Sequence, residues 1–95
     1  MNPVRELEMQ CTHAEFLREL ALASGKRPFE IIGDSVIVHD NGREIHIRIR
    51  DEPIRHLGSL DLPMEDIKLT FIDYTEEEAD HFMKDFETHV MRVGQ

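Results

Sequence analysis

Two histidines and a glutamate crowd into VIVHDNGREIHIRIR, residues 36–50, as His39, Glu44 and His46. One carboxylate and two imidazoles are donors suited to a divalent transition cation, provided that the backbone brings them to one face. Three other groupings carry chemistry by residue type. Cys11 and His13 flank the start of an expected helix, where a thiol loses its proton more readily. His56, Ser59 and Asp61 fall within six residues and include the residue types of a hydrolase triad. Glu77, His81, Asp85 and His89 recur every four residues, the spacing of one helix face.

Each grouping also has a plainer reading. Exposed His/Glu pairs across a hairpin are ordinary surface contacts, far less specific than a CxxC pair or an HExxH helix. Alternation places Cys11 on the same side as Leu7 and Met9, where free cysteine behaves as a small hydrophobe. A triad needs an oxyanion hole and is normally assembled from distant parts of the chain. The ladder from Glu77 to His89 favours protonated imidazole and makes local charge depend on pH, yet such pairs commonly serve only the helix surface. No nucleophile elbow, phosphate-cradling glycine loop or dinucleotide fingerprint is present. The sequence therefore assigns no catalytic residue, cofactor or firm metal site, and keeps His39, Glu44 and His46 as the metal candidates.

The elements that position these residues follow from periodicity. Residues 5–11 alternate as a half-buried strand. Thr12 and Glu15 have capping-box spacing, and Phe16, Leu17, Leu20 and Ala21 give the following helix its apolar stripe until Gly25. Lys26, Arg27 and Pro28 turn the chain away. Residues 29–40 read as extended, with a bulge or bend at Gly33-Asp34. Asn41-Gly42 demands positive φ at both positions, which predicts a two-residue hairpin. That register sets His39 opposite Glu44, Val38 opposite Ile45 and Ile37 opposite His46. Val36, Val38, Ile45, Ile47 and Ile49 then face inward, and His39, Glu44, His46, Arg48 and Arg50 face out.

Residues 51–66 hold two prolines and a glycine and read as largely irregular, with short extended structure at residues 60–62 packed by its leucines. Ile67, Leu69 and Phe71 alternate as a strand. Thr75 and Glu78 form a second capping box, and Ala79, Phe82, Met83, Phe86 and Val90 stripe a closing helix. The expected domain is a single α+β unit over residues 1–95, a two-layer sandwich in the order strand-helix-strand-strand-strand-helix. Its sheet is largely antiparallel, with both helices on one face.

In element order, helix-meander-helix resembles double-stranded RNA-binding domains once the first strand is left out. Those domains hold phosphates with lysines near the start of the last helix, where this chain has Glu76, Glu77 and Glu78. The charge agrees. Residues 1–60 carry eight Lys/Arg against ten Asp/Glu, and residues 61–95 carry three against ten, giving −2 and −7 of the total −9. Nucleic-acid phosphates are repelled by such a surface, so no direct binding to nucleic acid is expected.

No run of residues is long and apolar enough for a membrane span, and one cysteine fits a reducing compartment, so a cytoplasmic protein without membrane attachment is expected. The functional expectation is a noncatalytic protein–protein interaction module. Its candidate contact residues are Ile37 and Ile72 on the open sheet face, Arg48, Arg50, Arg55 and His56 near the irregular segment, and Glu77, His81 and Asp85 on the last helix. A homodimer is one form this would take. The alternatives are a metal- or small-ligand-binding protein using His39, His46 and the His56 loop, and an acidic decoy filling the groove of a nucleic-acid-binding protein.

Overall fold

The computed structural model describes residues 2–25 and 27–91, the last three by backbone alone, so Lys26 and the side chains of His89 and Val90 lie outside the described residues. The order is β1 (Val4–Met9), α1 (His13–Ala23), β2 (Phe29–Ile32), β3 (Ser35–Asp40), β4 (Arg43–Leu57), β5 (Leu60–Ile72) and α2 (Glu76–Met91). The five strands form one antiparallel sheet ordered β1-β5-β4-β3-β2. This is the expected α+β fold, with one strand more than the expected order because Gly33-Asp34 closes a tight turn between β2 and β3 instead of bending one strand.

Both helix starts form as their spacing dictates. Thr12 Oγ1 accepts from the Glu15 amide at 3.2 Å while Glu15 Oε1 accepts from the Thr12 amide at 2.9 Å. Thr75 and Glu78 repeat the exchange at 3.1 and 2.9 Å. Each box satisfies two amides that a first helical turn leaves unpaired.

The Asn41-Gly42 turn takes positive φ at both residues, 51° and 85°. The expected pairs follow: His39 with Glu44, Val38 with Ile45, Ile37 with His46 and Val36 with Ile47. Val36, Val38, Ile45, Ile47, Ile49, Ile67, Leu69 and Phe71 are consequently buried together on one sheet face. Phe16 and Leu20 of α1 and Ala79, Phe82 and Phe86 of α2 cover that face in the same core. Phe16 meets Phe86 edge-on at 5.9 Å, and Phe71 meets Phe82 edge-on at 5.5 Å. Both helices therefore lie on one side, and the other sheet face is open.

The main departure is at residues 51–66, which are not irregular. β4 runs on to Leu57, turns at Gly58-Ser59, and returns in β5 from Leu60. The flanking strands stop earlier: β3 pairs with β4 only as far as Ser35 opposite Arg48, and β1 leaves β5 at Met9 opposite Glu65. From there the two strands continue alone as a hairpin arm, through Arg55 opposite Leu62, His56 opposite Asp61 and Leu57 opposite Leu60. A bulge between Glu52 and Arg55 sets two residues against Pro63. The arm contributes to the elongated shape, 46 × 27 × 23 Å. Of the leucines expected to pack residues 60–62, Leu62 is half-buried but Leu60 is 60% exposed, as is Leu57 opposite it at 56%.

Candidate functional site

The strongest cluster of ligand-type side chains sits where the arm leaves the sheet. Alternation along β5 carries Ile67, Leu69 and Phe71 inward, and two residues earlier it carries Glu65 inward as well. Glu65 is only 1% exposed. Its register partner on one side is Met9 and on the other Asp51, so the two carboxylates share a face across β4 and β5. The first residue of α1 adds an imidazole: His13 Nδ1 lies 3.7 Å from Glu65 Oε1. One ligand atom each from His13, Asp51 and Glu65 falls within 4.8 Å of the others.

Electrostatically this root is unbalanced. No hydrogen-bond donor among the described residues reaches the buried Glu65 Oε2. Arg50 turns to Asp66 at 3.1 Å and Arg55 to Glu8 at 2.8 Å, so neither neutralises the site. Burial, then the facing Asp51 carboxyl and the charge of Asp34, push the Glu65 carboxyl up to about 7. Loss of solvation penalises the charged form, and a second acid raises that penalty. Cys11 is half-buried against the core, and burial followed by the charges of Glu65, Glu15 and Glu19 pushes its thiol up to about 11. It is a packing residue, in keeping with its plainer reading.

The candidates read from sequence are placed as follows. His39, Glu44 and His46 lie on the open face, but they do not converge on a point. Glu44 stands between the rings, with Oε1 2.9 Å from His46 Nε2 and Oε2 3.8 Å from His39 Nδ1, and His39 Nε2 is taken by Glu30 at 3.1 Å. Ile37 and Ile72 are both half-buried on that face, yet β4 runs between them and interposes His46 and Glu44. They form no continuous apolar patch. A shallow depression of about 420 Å³ borders Ile37 and is lined also by Ile32, His46, Arg48, Lys68 and Thr70.

Arg48, Arg50 and Arg55 fall on the open face by register, whereas His56 pairs with Asp61 on the opposite side of the arm, Nδ1 to Oδ1 at 2.6 Å. Ser59 is in the turn and makes no hydrogen bond to His56, so the three residues are not a triad. On α2, His81 lies 3.8 Å from Asp85, both exposed, and these two line, with Glu77, a second depression between α2 and the β3–β4 turn. Sequence reasoning missed Glu65 and Asp51. The signal for Glu65 was present in the alternation running back from Phe71, and for the arm in the Gly58-Ser59 pair between two leucines.

No helix among the described residues is long and apolar enough to cross a membrane. No protein-family model matches the chain, and comparison with curated proteins finds no match.

Proposed function

We propose that the protein is a noncatalytic interaction module that binds through its hairpin arm, and that the arm's occupant is a second copy of the chain. The observation that carries this reading is the arm itself. A lone two-stranded ribbon is marginally stable in water and needs a further strand or a packed face. Here both of its edges run past β1 and β3, and Ile54, Leu57 and Leu60 stand more than half exposed on it.

Charge favours self-association over a charged partner. Residues 53–62 contain one arginine and one aspartate besides His56, a neutral tip on a chain of net charge −9. Register puts Leu57, Leu60 and Leu62 on the open face with Arg55, the side opposite the helices. Two arms stacked on those leucines at the usual ~10 Å sheet spacing cover each other's apolar side chains. The acidic α2 helices then point away from the two-fold axis, where like charges repel least. The lone cysteine, a half-buried packing residue, is in keeping with a cytoplasmic location.

Sedimentation equilibrium from low to high micromolar concentration tests the reading. A dimer is expected for the native chain and a monomer for Leu57→Asp/Leu60→Asp with unchanged far-UV circular dichroism. A native monomer at several hundred micromolar, or a dimer that survives the double substitution, overturns it.

A further inference from the structure

We infer that His13, Asp51 and Glu65 form a binding site for a first-row divalent transition cation at the root of the arm. This is independent of the arm's occupant. The donor set, one imidazole and two carboxylates, suits zinc and its neighbours in the series, while calcium and magnesium prefer all-oxygen cages. Three protein ligands leave a further position open to water or another donor.

Two separate observations converge on the site. The first is geometric: ligand atoms from α1, β4 and β5 already lie within 4.8 Å of one another. Donors at ~2.1 Å around a tetrahedral ion stand about 3.4 Å apart, so small side-chain rotations close the set. The His13–Glu65 separation of 3.7 Å is nearly there. The second is the unmet demand of Glu65, a side chain 1% exposed whose Oε2 receives no donor while the nearby arginines are engaged with Asp66 and Glu8. A buried carboxylate with only the His13 imidazole beside it, 3.7 Å away, is costly to charge, and Asp51 opposite adds to the negative field. A cation satisfies both carboxylates together. Asp51 is exposed and His13 half-buried, which gives an ion a path from solvent.

The site joins α1 to two neighbouring strands of the sheet, β4 and β5. The His13 ligand comes from the first residue after the Thr12 cap, the Asp51 ligand from the last rungs of β4 before the arm's bulge, and the Glu65 ligand from the rung where β1 departs.

The test is titration of zinc, cobalt(II) and manganese salts into the chelator-treated full chain by calorimetry, with the cobalt absorption spectrum reporting coordination. Saturation at one ion per chain with Kd below ~100 µM is expected. Asp51→Asn, at an exposed position that leaves the fold intact, should weaken binding by roughly 10–100-fold, and His13→Gln similarly. His39→Gln/His46→Gln should bind as the native chain does. No saturation below ~100 µM, binding indifferent to Asp51→Asn, or binding lost in the His39→Gln/His46→Gln chain overturns the assignment.

Discussion

Tyr74 donates its hydroxyl to Asp40 Oδ2 at 2.6 Å, linking the residue that leads into α2 to the strand end before the Asn41-Gly42 turn. Asp40 is also approached by Arg27 Nε at 3.4 Å and Arg43 at 3.6 Å, and the Arg43 guanidinium lies over the Tyr74 ring at 4.0 Å. Burial, then the Asp40 hydrogen bond, raise the phenol well above its usual range, so it stays a donor at all ordinary pH. Tyr74→Phe leaves the ring packing on Phe71 and removes only the hydroxyl. A loss of about 1.5–3 kcal/mol is expected from urea unfolding, the scale of a hydrogen bond to a charged, mostly buried group.

The second helix cap has a pH signature. The Thr75 amide, then Arg43, hold the Glu78 carboxyl below the usual carboxylate range. Its stabilising effect is complete above the unfolded value of 4.5 and disappears as pH falls through the lower folded value. The difference in urea midpoint between native chain and Glu78→Gln should therefore be present at pH 7 and shrink progressively below pH 4.5. A constant difference down to pH 2 contradicts the Glu78 contacts. Thr75→Ala, which removes the other half of the box, should cost about 1 kcal/mol at pH 7.

Cys11 should be slow to alkylate. A thiol at about 11 has roughly a hundredfold less thiolate at pH 7.5 than one at the ordinary value of 9. Iodoacetamide should modify the native chain far more slowly than the chain in urea. Equal rates would place Cys11 in solvent.

The arm's tip depends on Gly58, whose φ of +61° disfavours any residue with a Cβ. Gly58→Val should leave the urea midpoint of the body nearly unchanged. Its effect should appear as faster amide exchange in residues 53–62, which lie beyond the rungs paired with β1 and β3. Trypsin should cut after Arg55, and more slowly as protein concentration rises if the arms pair. Cleavage independent of concentration speaks against pairing.

Local chemistry made much of the body legible. Asn41-Gly42 dictates its turn through φ alone, and everything in register with it follows, including the inward aliphatics and outward histidines. The two capping boxes likewise specify their helix starts without help from tertiary packing. The arm obeys different rules. Pro53 and Pro63 read as breakers, but a proline is tolerated where a strand has a free edge, and both stand at the bulge where the flanking strands have already ended. That freedom is a property of the sheet order, which no local window contains. Glu65 was hidden for a related reason: a charged residue is ordinarily assigned to solvent, and only the continuation of β5's alternation places it inside.

Because β1 and β3 stop short, the arm projects from the sheet beyond the Asp51–Glu65 rung. Six residue steps of strand reach about 20 Å, so a tilt of about 10° at that rung swings the leucines at the tip by some 3.5 Å. A small change of angle at the rung beside His13 is therefore multiplied at the tip.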